Sequence, residues 1–266
     1  MRIAFIGGGT MAEAMITGIL ERGLARPTDV AVGEPVEARR AALLQKFGVP
    51  AVPSNQQAAA GSDLVVLSIK PQDLTAVLQD LRGTLRSGQV VVSIVAGARL
   101  DTIVQGLGHR QVVRVMPNTP AQVGMGMSVW TAATEVPAER REQVRSLLRS
   151  FGEEVYVTEE KYLDMATALS ASGPAFVFLM LEALMDAGVH IGLPRDMARQ
   201  LAVQTVLGSV QMVKQTGKHP AELKGMVASP AGTTVEGLLA LEEGAVRAHL
   251  IRAVRVAHER AKSLGA

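Results

Sequence analysis

Five short stretches of this chain carry residues whose types and spacing could do chemistry. "FIGGGTMAEAM" (5–15) holds Gly7, Gly9 and Ala12 in a G-x-G-x-x-A pattern. Glu34 stands 22 residues beyond Ala12, after a short apolar run. "SIKPQD" (68–73) offers Lys70 and Pro71, and "VMPNTP" (115–120) offers Asn118 between two prolines. "SPAGTT" (229–234) gathers hydroxyls and a glycine ahead of a helical pattern.

The glycine pattern suits a dinucleotide. Gly7 permits a tight turn, Gly9 admits a pyrophosphate to the backbone, and Ala12 allows close packing of helix on strand. Thr10 and Glu13 have capping-box spacing, which predicts an N-cap at Thr10. The helix amides then point back at the loop and suit a diphosphate. Glu34 can accept hydrogen bonds from both adenosine ribose hydroxyls and repels a 2′-phosphate, which favours NADH over NADPH. Arg39 and Arg40 open the next helix, where they could reach a phosphate or serve as surface charges.

Lys70 and Pro71 end a strand at its carboxyl edge, where ligands of open α/β sheets bind. On residue type alone, a lysine after a strand is more often a surface residue. Asn118 sits in a rigid turn fit either to position a nicotinamide or substrate or simply to shape a loop. "LSASGPAFVF" (169–178) places Ser172 as N-cap of a long helix, with Pro174 in its first turn. Thr233 and Glu236 form a second T-x-x-E box, so Ser229, Gly232, Thr233 and Thr234 surround a helix start that can hold a small carboxylate. A tight interhelical turn explains the same residues equally well.

The elements that would position these groups fall into two halves. Nearly continuous apolar runs at 2–6, 30–32, 64–69, 90–95 and 112–116 predict strands buried on both faces. Later strands are expected at 126–131 and 153–158. Helical patterns at 10–22, 36–47, 71–81, 99–106 and 137–151 lie between them. The spacing predicts a doubly wound, Rossmann-type parallel sheet. From residue 159 the pattern is helix after helix, at 160–170, 174–190, 194–215, 219–226, 233–242 and 245–263. The expected domains are therefore 1–158, binding a dinucleotide, and 159–266, all-helical. The long helices of the second half are apolar on several faces, which implies burial against a partner chain.

Composition narrows the classes. The 266 residues are 48% apolar and 3% aromatic, with net charge +2 and no cysteine. That is a packed globular chain without disulfides, thiolate catalysis or cysteine metal sites, and without the stacking residues of a single-strand nucleic-acid binder. "PAFVFLMLEALM" (174–185) is interrupted by Glu182 and shorter than a bilayer requires, so neither a membrane nor a nucleic acid is an expected partner. The expected compartment is the cytoplasm.

Taken together, "FIGGGTMAEAM", "IKPQD", "VVSIVAG", "RVMPNTP", "LSASGPAFVF" and "HPAELKGMVASPAGTTVEGL" resemble the pyrroline-5-carboxylate reductases, in that family's order and over essentially the whole chain. Ala171 and Ala231 stand where the family usually has glycine. The resemblance implies reduction of 1-pyrroline-5-carboxylate to L-proline by NADH or NADPH. It implies cofactor contacts from Gly7, Gly8, Gly9, Thr10, Met11, Ala12, Asn55, Lys70 and Ala96. It places the substrate carboxylate on Ser229, Ala231, Gly232, Thr233 and Thr234, sets Thr234 at the ring nitrogen, and brings Glu160 near the substrate. No metal is implied. The assemblies it implies are dimers interlocked through the helical domain, often gathered into decamers. A reductase of another cyclic imine or a hydroxyacid-type dehydrogenase is the alternative among enzymes. The latter commonly needs a lysine in the first long helix of the second domain, and 174–190 has none. A non-catalytic dinucleotide-binding regulator would have no reason to keep 229–234.

Overall fold

The computed structural model describes residues 1–264, and two compact units account for them: 1–172 together with the chain from Ala257 onward, and 173–256. The first unit is built on one eight-stranded sheet. Its strands are β1 (Ile3–Ile6), β2 (Val30–Gly33), β3 (Ala51–Val52), β4 (Leu64–Leu67), β5 (Val90–Ser93), β6 (Val112–Met116), β7 (Gly126–Ala132) and β8 (Gly152–Tyr156). Their spatial order is β3-β2-β1-β4-β5-β6-β7-β8. The apolar runs explain the buried interior: Phe5, Val66 and Val92 pack into a cluster on one face, while Ile6, Val65, Leu67 and Val91 pack on the other. Both faces are covered, as period-2 side-chain alternation requires of a strand without polar positions.

Six strands run parallel in the doubly wound order, and β1 pairs with β2 on one side and β4 on the other. The winding therefore reverses between β1 and β4, and a crevice opens at their carboxyl ends. β7 is antiparallel to β6. Only residues 117–125 join them, too few for a parallel crossover, which needs a dozen or more. A crossover helix at Ala138–Arg149 then makes β8 parallel to β7.

The helices of this unit that matter for the site are α1 (Thr10–Glu21), α2 (Glu37–Phe47), α3 (Asn55–Ala59), α4 (Leu74–Leu81), α5 (Leu100–Leu107), α6 (Ala138–Arg149) and α7 (Lys161–Ala166). Two short elements, β3 and α3, go beyond the sequence expectation. Two residues of strand and five of helix are too short to show a period. Ser54 caps α3 by accepting from the Gln57 amide at 3.2 Å.

One expectation about the long helix fails. Ser172 is not an N-cap, because the helix runs without a break from Lys161 to His190 through a π-turn at Thr167–Ala171. The Ser172 amide donates to the Thr167 carbonyl at 2.9 Å, five residues back. Pro174 has no N–H for the Ser170 carbonyl, and the widened turn accommodates it. The continuous helix is 30 residues long and includes an 18-residue window apolar enough to cross a bilayer by length and composition, which corrects the length argument made from 174–185 alone.

The second unit consists of α8 (Gly173–His190), α9 (Arg195–Thr216), α10 (Pro220–Val227), α11 (Thr233–Glu243) and most of α12 (Val246–Leu264). α8 and α9 approach closely where Gly188 meets Ala198; a Cβ on Gly188 would lie 2.8 Å from that of Ala198. In α8 no residue is buried, and in α9 only Ala198 and Ala202 are. Phe178 is 62% exposed and Ile191 78%. The apolar faces expected to need a partner are thus bare in one chain.

Candidate functional site

A cleft of about 750 Å³ lies at the carboxyl ends of the central strands, lined from the glycine turn to the segment after β5. Gly7 makes the turn off β1 at φ +96°, a conformation that L side chains rarely adopt. A Cβ there would lie 2.7 Å from the Ser68 carbonyl oxygen. At Gly9 the same added atom meets nothing within 4 Å, so the backbone faces open cleft. Gly9, and not Thr10, is the N-cap of α1, with extended φ and ψ and no side-chain cap. The expected capping box is absent because Thr10 is already the first helical residue. Glu13 instead pairs with Lys46 at 2.8 Å. The first amides of α1 have no intrahelical acceptor and point at the loop, an arrangement that suits a diphosphate better than a capped end would.

Gly8 and Ala12 do not line the cleft. The Gly8 amide donates to Glu34 Oε2 at 3.0 Å, and Ala12 is fully buried beneath the start of α1. Glu34 lines it while only 3% exposed. Its other oxygen accepts from the Val36 amide at 2.9 Å. A carboxylate has about four lone-pair sites, so each oxygen retains acceptor capacity toward a diol. Arg39 also lines the cleft, with its guanidinium 3.9 Å from Glu34. Arg40 turns away to the carbonyls of Glu34 and Pro35, at 2.9 and 2.7 Å.

On the β4 side of the reversal Lys70 and Pro71 line the cleft, and Thr10, Met11, Asn55 and Ala96 line it elsewhere. Asn55 donates to Asp80 at 3.0 Å, and its Oδ1 would lie 2.8 Å from a Cβ on Gly33. Ser68, not anticipated from sequence, donates to the Gly7 carbonyl at 2.7 Å and so braces the turn. A serine ending an apolar strand was its only signal.

Asn118 and Glu160 have tasks outside the cleft. Asn118 accepts from the Met127 amide at 2.8 Å and donates to the Ser170 carbonyl at 3.3 Å. That carbonyl is the one Pro174 cannot serve, so the side chain closes a gap in the helix. Glu160 Oε1 accepts from Arg114 at 2.8 Å and from the Leu100 amide at 2.8 Å. Arg114, 2% exposed in the middle of β6, also pairs with Asp164 at 3.0 Å. Sequence reading passed over Arg114, although a lone charge inside "VVRVM" signals a buried ion pair. Breaking such a pair from one side costs roughly 3–5 kcal/mol.

The 229–234 loop belongs to the second unit. Gly232, extended at φ −83° and ψ 160°, is the N-cap of α11 and no side chain caps it. The Thr233 capping box is therefore also absent, again because the threonine is one residue inside the helix. The Gly232 amide donates to the Ser229 carbonyl at 3.0 Å, and a Cβ on Gly232 would run into Ser229 Oγ. Ala231 sits in the left-handed region at φ 54°. The first amides of α11, with the hydroxyls of Ser229, Thr233 and Thr234 beside them, form a donor set that fits a carboxylate. Among the described residues no cluster of histidine and carboxylate side chains could hold a metal ion.

Two family profiles match the chain. One, pyrroline-5-carboxylate reductase dimerisation, covers residues 160–264; the other, NADP oxidoreductase coenzyme F420-dependent, covers 2–97. The chain is 42% identical to a pyrroline-5-carboxylate reductase of Synechocystis over 265 residues, 100% of this chain and 98% of that one. With the enzyme of that name from Escherichia coli it shares 39% over 264 residues, 99% and 98% of the two chains. The solved pyrroline-5-carboxylate reductase from Coxiella burnetii superposes with a TM-score of 0.92 at 34% identity, over 100% of this chain and 98% of that one. The Plasmodium falciparum pyrroline carboxylate reductase, solved with NADP bound, gives 0.91 at 31%, over the same shares.

Proposed function

The chain belongs to the pyrroline-5-carboxylate reductase family, and from that membership we infer that it reduces 1-pyrroline-5-carboxylate to L-proline. The observation that carries this reading is the cleft at the β1/β4 reversal, glycine-lipped and faced by uncapped amides. The nicotinamide dinucleotide supplies the hydride for the imine carbon, and a proton completes the ring nitrogen.

The chain's own residues bind and orient. Gly7 and Gly9 let the backbone approach the diphosphate, and the N-terminus of α1 stabilises its charge. Glu34 accepts from the adenosine ribose. A 2′-phosphate beside its buried carboxylate meets like charge, so the proposed preference is NADH, with the Arg39 guanidinium in the cleft to offset it in part. Ser229, Ala231, Gly232 and Thr233 are proposed to anchor the substrate carboxylate through the α11 amides. Thr234 is proposed to hold the imine nitrogen and relay its proton. The protonated imine is already electrophilic, so positioning and preorganised donors supply most of the rate.

The functional division is proposed at 158/159, with 159–266 forming the homodimer through the bare faces of α8 and α9. A second copy, rather than lipid, is the proposed cover for the 161–190 helix, consistent with a cytoplasmic enzyme. Loss of NADH absorbance on adding 1-pyrroline-5-carboxylate to purified protein tests the reaction. No oxidation with either dinucleotide overturns it. A large NADPH preference in the same assay overturns the Glu34 argument alone.

A further inference from the structure

We propose that Glu160 and Arg114 are positioning residues for the cofactor, fixing the far end of the 94–100 segment, whose Ile94 and Ala96 wall the cleft on the side away from Glu34. This rests on reading the cleft as the dinucleotide site. The chain leaves β5 at Ser93, lines the cleft with Ile94 and Ala96, and enters α5 at Leu100. As the first residue of α5, Leu100 has an amide with no intrahelical acceptor. Glu160 Oε1 accepts it at 2.8 Å, and the same oxygen accepts Arg114 Nη1 at 2.8 Å. Arg114 arrives from β6, the strand next to β5, and its second nitrogen is held by Asp164 at 3.0 Å.

A single carboxylate oxygen thereby joins the start of α5, the middle of β6 and the entry to α7. The segment is also closely approached by the end of α12. Gly97 takes φ +76°, and a Cβ there would lie 2.7 Å from the Leu264 carbonyl oxygen at the end of α12. Neither Glu160 nor Arg114 lines the cleft, so their influence passes through the wall and not through contact with a bound molecule. β5 lies on the β4 side of the reversal and Glu34 on the β2 side. The wall therefore faces the half of the dinucleotide that the adenosine ribose does not occupy.

The discriminating probe is ADP-ribose, which has the adenosine and diphosphate of NADH and lacks the nicotinamide. In the full-length protein, Glu160→Ala is expected to raise the NADH dissociation constant about 10-fold, since one lost charge-assisted hydrogen bond lets the wall shift. ADP-ribose affinity should stay within about twofold. Glu160→Gln should restore most of the NADH affinity, because its amide oxygen still accepts from Leu100 and Arg114. Leu100→Pro removes the donor together with the leucine's packing against the core, at a helix position where proline is tolerated and after an extended Arg99; it should weaken NADH several-fold where Leu100→Ala, which loses the packing and keeps the donor, does not, and this pair remains informative if Glu160→Ala does not fold. Equal losses for both probes, or unchanged NADH affinity in both variants, overturn the proposal. So does a rise confined to the KM for 1-pyrroline-5-carboxylate, which would make Glu160 a substrate contact. Wild-type protein that binds neither probe removes the cofactor reading itself, a different and recognisable failure.

Discussion

Two helices begin in the same manner and in opposite surroundings. α1 and α11 both start from an extended glycine N-cap with no side chain over the first amides. At α1 the turn is anchored in a sheet buried on both faces, and the left-handed position is glycine. At α11 the loop sits among exposed helices, and the left-handed position is Ala231. The same uncapped glycine N-cap therefore follows a left-handed glycine seated against the sheet in one place and a strained left-handed alanine in the other. The contrast suits the ligands proposed for them, a large dinucleotide laid on a fixed cradle and a small acid that must be gripped and released.

The comparison breaks most visibly at Gly7. Gly7→Ala puts a Cβ 2.7 Å from a backbone carbonyl at φ +96°, and sheet and helix leave nothing to yield. NADH affinity should fall by more than about 100-fold, with a lowered melting temperature; a near-normal titration would show that the cradle is not rigid. Next in size, Thr234→Ala should lower turnover about 10- to 100-fold while NADH affinity holds, since one transition-state hydrogen bond is worth about 1.4–3 kcal/mol. Unchanged kcat removes Thr234 from the reaction. Gly232→Ala meets chiefly a side chain, Ser229 Oγ, which can rotate. Its KM for 1-pyrroline-5-carboxylate should rise only about 10-fold, and a loss as large as that at Gly7 would erase the difference between the two cradles. The smallest effect has the opposite sign. Ala231→Gly relieves left-handed strain of roughly 1 kcal/mol, so more of the chain holds the anchoring conformation and KM should fall about 2- to 5-fold. A higher KM would mean that the alanine preorganises the loop.

Legibility in the sequence followed length and periodicity. The long strands and helices were visible because each repeats its period several times. β3 and α3 were not, since neither completes one. Both T-x-x-E boxes misled for one reason: a glycine ahead of the threonine can take the extended cap conformation itself, and moves the threonine one residue into the helix. Glu34 could be placed at the cleft because its position depends only on strand and turn geometry. Asn118 and Glu160 could not, because their partners, Ser170 and Arg114, are 52 and 46 residues away and no local pattern connects them. Arg114 itself was legible in principle, as a charge in a strand with no solvent face.

The bare faces of α8 and α9 have a thermodynamic consequence. With two buried residues across α8 and α9 and a match to a dimerisation family, this unit has little reason to hold its shape in isolation, and its folded state is expected to depend on self-association. Concentration then becomes a variable of stability. By mass action the apparent melting temperature should rise as protein concentration rises, and dilution should act on this molecule as a denaturant does on others.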